Sequence, residues 1–320
     1  MTSPEHSGLR QRISDAVTEA AFVSGWQVVK RMPERPTRWA ATKVADRSWR
    51  RQGPAIRQLE RNLARVDPTW TVDELRTISR TAMRSYLRYW QEAFQLPAWS
   101  HERISSTFNL VNVEILDAAA ASGTGVIMVP GHMANWDHAG AWAALRYGRV
   151  VTVAERLKPI GLFERFLEYR RSLGMEVYGT GDPDVVRQLA RRLKDGCVVA
   201  LLGDRDIGRN GVEVSLLGQP ASLPAGPALL AILTGAPLYP VSMWFEPVGS
   251  LGWIHDRVEV PQTGTRAEQV KAMTQQIADS LGSGIRENPQ DWHMMQALWR
   301  ADIEAREEGP PRISPQEGST

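Results

Sequence analysis

The chain has 320 residues, 42% hydrophobic and 23% charged, with 38 Lys/Arg against 36 Asp/Glu for a net charge of +2. This is the composition of a large globular fold and excludes a low-hydrophobicity disordered chain. Its single cysteine, Cys197, excludes an internal disulfide framework and fits a reducing compartment. No run reaches the roughly eighteen apolar residues of a spanning helix and no leader peptide is recognisable, so any relation to a membrane is expected to be peripheral.

Ile13, Val17, Ala21 and Val28 recur at helical spacing from Leu9 to about Met32, before Pro33. Further helices are expected over Pro36–Gly53 and Ala55–Val66. Residues 1–66 hold thirteen Lys/Arg against six Asp/Glu, together with Phe22, Trp26, Trp39 and Trp49. Cations interleaved with tryptophans suit an anionic membrane surface, each nearby cation contributing on the order of 1 kcal/mol. A solvated helical face over core tryptophans accounts for them equally well. No basic run is long and no nucleic-acid-binding motif occurs, so no nucleic-acid partner is expected.

Thr71-Val72-Asp73-Glu74 is a capping box that opens a long helix to about Leu96. Near residue 110 the pattern changes to strand–helix alternation. Strands are expected at Val126–Val129, Val150–Ala154, Met175–Tyr178, Val198–Leu202, Val212–Leu216, Leu238–Phe245 and Trp253–Val260. Helices are expected after His132, at Leu162–Leu173, from an Asp182-Pro183 start to Lys194, and at Pro227–Thr234, Ala267–Arg286 and Trp292–Arg306. The fold class is α/β, a central mixed β-sheet flanked by helices. Residues 1–110 form a helical region packed on the core, 111–306 the core, and 307–320 a disordered tail.

The core opens on Gly125-Val126-Ile127-Met128-Val129-Pro130-Gly131-His132, a short apolar strand broken by Pro-Gly, followed by Asn135-Trp136-Asp137. His132 and Asp137 form an H-x4-D pattern. On one continuous helix they would stand about 140° apart, so they converge more easily if His132 lies on the loop and Asp137 in the first helical turns. A carboxylate on one imidazole nitrogen leaves the other open as a general base.

This segment resembles the active-site motif of the lysophospholipid acyltransferase superfamily. H-x-x-N-W-D is similar to that of the bacterial lipid A lauroyl/myristoyl acyltransferases and the actinobacterial phosphatidylinositol mannoside acyltransferases. The resemblance spans roughly residues 15 to 305 and includes Gly25-Trp26, Asn210-Gly211-Val212 and Pro224-Ala225-Gly226-Pro227. The lipid A enzymes begin with a hydrophobic anchoring helix, whereas Leu9–Met32 is amphipathic, which points to the phosphatidylinositol mannoside branch. The resemblance implies an acyl-CoA-dependent O-acyltransferase on the cytoplasmic face of the membrane. It would move a long-chain acyl group, such as palmitoyl, to a mannose hydroxyl of a phosphatidylinositol mannoside. Acyl-CoA is the donor substrate, and no cofactor or metal is implied. Another glycolipid or a lysophospholipid is the alternative acceptor.

Further candidates lie at strand ends, where α/β sheets hold ligands. Glu155-Arg156-Leu157-Lys158-Pro159 resembles an acceptor-lining segment, with Glu155 suited to a sugar hydroxyl and Arg156 to a phosphate. Arg170, late in its helix, matches a superfamily arginine that can grip an anion; helix-end charge is the plainer explanation. Leu202-Gly203-Asp204-Arg205-Asp206 sets two carboxylates around an arginine. In the resembling family the first acidic residue here approaches the histidine, so Asp204 competes with Asp137 as its partner. Asn135, Arg205 and Asp206 join the substrate-binding candidates, and Arg209 and Asn210 are expected to border the donor. A metal-dependent hydrolase using His132, Asp137, Asp204 and Asp206 is one rival; a non-catalytic lipid-binding protein is the other. His293, within Asp291-Trp292-His293, matches a C-terminal family pattern and reads as structural. No G-x-S-x-G nucleophile elbow occurs.

Overall fold

The computed structural model describes residues 25–156, 160–208 and 210–307. The expected termini, 1–24 and the tail beyond 307, lie outside them, as do Phe22, Lys158 and Arg209. The helical region comprises α1 (25–31), α2 (Glu34–Arg50), α3 (Pro54–Val66), α4 (Val72–Gln95) and α5 (His101–Ser106). The Thr71 capping box is formed in both directions, its hydroxyl meeting the Glu74 N–H and the Glu74 carboxylate reaching back. Helix α4 is the strut of this region. Trp26 donates its indole N–H to the Phe94 carbonyl (3.1 Å), which docks α1. Asp46 of α2 is clasped by Arg80 and Arg84 of α4, each through two nitrogens, which holds its carboxyl well below the usual carboxylate range.

The core follows as β1 (Phe108–Val111), α6 (Glu114–Ser122), β2 (Val126–Pro130), α7 (Trp136–Tyr147), β3 (Val150–Ala154) and α8 (Ile160–Ser172). Next come β4 (Met175–Gly179), α9 (Val185–Lys194), β5 (Val198–Ala200), β6 (Val212–Leu216), β7 (Gln219–Leu223) and α10 (Gly226–Thr234). The chain closes with β8 (Leu238–Phe245), β9 (Ser250–Ile254), α11 (Arg266–Glu287) and α12 (Arg300–Glu307). Seven strands form one sheet in the order β1-β9-β8-β2-β5-β3-β4, parallel throughout except for the β8–β9 hairpin. The fold is α/β with a mixed sheet, as expected. Both faces are covered, which is why the parallel strands read as continuous apolar runs. Val126, Met128, Val150 and Val198 face one cluster; Ile127, Val129, Val151 and Val199 face the other.

Four expectations are corrected. Val212–Leu216 does not join the main sheet; β6 pairs with β7 in a separate antiparallel hairpin turned by Leu217 and Gly218 at positive φ. Residues 292–299 are not helical: a single 3-10 turn, Pro289–Asp291, precedes an extended stretch, and α12 begins only at Arg300. The last sheet strand is Ser250–Ile254, the hairpin partner of β8, rather than Trp253–Val260. Asp182 does not cap α9. Its carboxylate accepts from the Gly179 N–H and pairs with Arg156, and the helix starts after Asp184. Strand β1 and helix α6 were not foreseen.

Candidate active site

The site lies where the strand order turns back on itself. Strand β2 continues through α7 to β3, yet its neighbours in the sheet are β5 and β8. Loops leaving β2 and β5 therefore emerge side by side at the carboxyl end, the usual ligand position of an open α/β sheet. Pairing continues past the strands: Gly203 N–H meets the Pro130 carbonyl at 2.9 Å and Gly131 N–H the Val241 carbonyl at 3.3 Å. Gly203 allows this approach, because a Cβ there would stand 2.1 Å from Val129 Cγ1.

The result is a dyad. His132 Nδ1 lies 2.6 Å from Asp204 Oδ1, and the His132 backbone N–H donates to Asp204 Oδ2 at 2.8 Å. Trp292 Nε1–H donates to the same Oδ2 at 2.9 Å. Asp204 is wholly buried, which alone would raise its pKa; the facing His132 and these donors outweigh burial and bring it below the usual carboxylate range. A carboxylate held this way accepts only, so neutral His132 carries its proton on Nδ1 and presents the Nε2 lone pair. The His132 side chain keeps 17% of its surface exposed, so the imidazole is not sealed off from a reactant.

Asp137, the aspartate of H-x4-D, is occupied elsewhere. Its Oδ1 accepts from Arg170 Nε at 2.7 Å and its Oδ2 from the Tyr89 hydroxyl at 2.9 Å. As the second residue of α7 it faces α8 and α4, away from the loop that carries His132. Of the two competing partners, the geometry joins Asp204 to the histidine.

Beneath α7 runs a narrow apolar cavity of about 90 Å³. Met128, Val198, Ala200 and Met243 of the sheet form one wall, and Trp136, Ala139, Gly140 and Ala143 of α7 the other. Pro130 and Leu202 also line it, each two residues before a member of the dyad. The Asp137–Arg170 pair supplies a polar patch in an otherwise hydrocarbon wall. Its lining is predominantly apolar, a chemistry that suits a hydrocarbon group.

The family described as bacterial lipid A biosynthesis acyltransferase matches residues 10–301. The chain belongs to this family. A Mycolicibacterium smegmatis protein named phosphatidylinositol mannoside acyltransferase is 42% identical over 289 residues, 90% of this chain and 93% of its own. A Mycobacterium tuberculosis protein of the same name is 40% identical over 301 residues, 92% of each chain.

Within this acyltransferase family member the remaining expected residues fall into two groups. Glu155, Arg205 and Asp206 lie at the carboxyl ends of β3 and β5 on the dyad side. Arg205 pairs with Glu155 at 3.0 Å, and Asp206 Oδ2 accepts from Gly211 N–H and Ser222 Oγ–H, both at 2.7 Å. Asn210 is exposed in the same loop. Arg156 is turned to Asp182 and the Thr180 carbonyl. Asn135 belongs to the second group. It is fully buried; its Oδ1 caps α7 by accepting the His138 N–H at 3.0 Å, and its Nδ2 donates to Glu92 at 3.1 Å. Both ends are taken, so Asn135 positions the helix rather than a substrate.

A supporting shell went unread in the sequence. Segment 291–293 lies against the loop that carries His132: His293 N–H donates to the His132 carbonyl at 2.8 Å and Ala134 N–H to the Asp291 carbonyl at 2.9 Å. Ser85 Oγ–H donates to Asp291 at 2.5 Å and accepts from His293 Nε2 at 2.9 Å. Burial raises the Asp291 carboxyl and pushes His293 down to about 3, so the imidazole is neutral. Asp291-Trp292-His293 was the only signal for this shell, and it does not say which residue faces what. No group of three His, Cys, Asp or Glu among the described residues could hold a metal ion, since Asp137, Asp204 and Asp206 serve three separate networks.

Proposed function

We propose that the protein transfers a long-chain fatty acyl group, such as palmitoyl, from acyl-CoA to a mannose hydroxyl of a phosphatidylinositol mannoside. The observation that carries this reading is the His132–Asp204 dyad beside the end of an apolar cavity. The relatives' name supports the acceptor. The acyl chain occupies the cavity beneath α7 with its thioester near His132. His132 Nε2 takes the proton of the acceptor hydroxyl as that oxygen attacks the carbonyl carbon. Asp204 fixes the tautomer and balances the imidazolium that forms. Collapse breaks the C–S bond, and coenzyme A leaves as a thiolate or takes the imidazolium proton. The step needs no covalent enzyme intermediate, metal or further cofactor. Glu155 and Arg205 meet the polar headgroup, with Arg156 and Asp206 around it, and Asn210 borders the donor.

The same reading places the protein on the cytoplasmic face of the membrane, held by charge and interfacial aromatics. No helix among the described residues is long and apolar enough to cross a membrane. Of the expected interfacial tryptophans, Trp39 is 65% exposed with Lys43 over its ring, and Val28, Met32 and Val44 are exposed nearby. Trp26 and Trp49 are instead packed, Trp49 donating to Ser79 Oγ at 2.9 Å. Trp39 and the cations of α2 are therefore the anionic-surface contact.

The test is thiol release from palmitoyl-CoA with and without mannosylated phosphatidylinositol. Acceptor-stimulated release is expected in the native protein and none in His132→Ala, with unchanged circular dichroism. Near-native turnover in that variant refutes the base. Stimulation only by another glycolipid or a lysophospholipid replaces the acceptor and keeps the chemistry.

A further inference from the structure

Polar atoms buried without a partner are rare, and each calls for a cause. Among the described residues, two lie on aromatic side chains packed near the dyad, Trp136 Nε1 and His293 Nδ1. They are not equivalent. The one hydroxyl proton of Ser85 goes to Asp291, so His293 must donate through Nε2, and its Nδ1 is only an unused lone pair. Trp136 Nε1–H is a donor and nothing else, and leaving such a group buried and unmet is unfavourable.

The indole cannot swing away to find an acceptor. Trp136 is the first residue of α7; its ring stacks on Tyr89 at 4.0 Å and meets His132 edge-on at 5.4 Å between centroids. The same side chain lines the apolar cavity. An attacking oxygen within roughly 3 Å of His132 Nε2 and of the carbonyl carbon puts the carbonyl about one ring spacing from the imidazole. That is the spacing at which the Trp136 ring stands.

We propose that Trp136 Nε1–H donates a hydrogen bond to the thioester carbonyl oxygen and stabilises the charge that develops there during acyl transfer. The inference rests on the acyl-CoA reading given above. As the acceptor oxygen bonds to the carbonyl carbon and its proton moves to His132, the carbonyl π pair moves onto oxygen and is met by the indole N–H. When the C–S bond breaks, the pair returns to the carbonyl and the sulfur departs with the bonding electrons.

The experiment compares native protein with Trp136→Phe, which keeps an aromatic ring and removes the donor. Loss of one such donor is expected to lower kcat about 10²-fold while KM for palmitoyl-CoA changes little. Binding of S-hexadecyl-CoA, a thioether with no carbonyl, should be the same in both proteins. Native kcat in Trp136→Phe overturns the inference, and so does a matching loss of thioether affinity, which would show that the ring acts by packing. If the variant does not fold, benzothienylalanine at position 136 puts sulfur in place of the N–H with the ring shape kept, and the same two readings apply. Failure of the functional reading looks different: native protein that moves no acyl group from acyl-CoA to any lipid acceptor overturns that reading together with this inference.

Discussion

His293 sets a pH dependence that can be worked through. It is buried against Ser85 and the aromatic rings of Tyr86, Tyr89, Trp136 and Phe245, with the His132 imidazole nearby. Burial and that neighbour lower its pKa from 6.5 to about 3. A base depressed on folding takes up its proton more readily in the unfolded chain. Its contribution is therefore fully present above pH 6.5 and is lost as pH falls toward 3. Each pH unit in that window removes about 1.4 kcal/mol, so roughly 2 kcal/mol is gone by pH 5. His293→Gln keeps an amide donor for Ser85 Oγ and removes the titration. Urea unfolding followed by tryptophan fluorescence from pH 8 to pH 5 should show a native curve that falls about 2 kcal/mol further than the variant's. His138 and His255 are also depressed by burial and contribute to both curves alike, so the difference isolates His293. Parallel curves over this range would refute the argument and mean that the imidazole reaches water in the folded state.

Three other outcomes are expected. Asp204→Asn removes the charge facing His132 Nδ1 and should lower kcat by about 10²–10⁴-fold, with little change in the KM for acyl-CoA; unchanged turnover would return the orienting role to Asp137. Arg170→Met strands the Asp137 carboxylate in a buried site and should cost about 3–5 kcal/mol of stability in urea titrations, a loss that Asp137→Asn in the same chain should partly restore. Ala200→Phe projects a ring into the cavity and should shift preference toward shorter acyl-CoA chains, read as kcat/KM across a chain-length series; an unchanged profile would place the chain elsewhere.

The helical region, the long α4 with its cap, the break at Pro130-Gly131 and most core strands could be read directly, because each is a local matter of period and turn chemistry. The choice between Asp137 and Asp204 could not. It depends on β5 inserting between β2 and β3, a long-range pairing that no spacing encodes. Once that order is known, Asp204 follows from its place in the loop just beyond the end of an adjacent parallel strand, four residues after Ala200. The misread C-terminal helix has a different cause. Trp292, Met295 and Trp299 recur at helical intervals, yet Trp292 turns to Asp204 and Trp299 donates to the Leu216 carbonyl at 3.2 Å. Tertiary hydrogen bonds overrode an apparent period. The shell of Ser85, Asp291 and His293 joins residues about two hundred positions apart, and ordinary polar residue types gave no reason to pair them.

Because Trp292 and His293 brace the loop that carries His132, the dyad is completed late in synthesis, after all seven strands of the sheet have been made. The carboxyl end of the sheet can form once β8 has been made, but the Asp204 carboxylate then lacks one of its donors and the His132 loop lacks its brace. Asn62 of α3, made more than two hundred residues earlier, waits for the Met294 and Gln296 carbonyls. A nascent chain on the ribosome therefore carries the apolar cavity before it carries a braced His132–Asp204 dyad. On the proposed function, a chain cut just before Asp291 should keep the apolar cavity and lose acyl transfer.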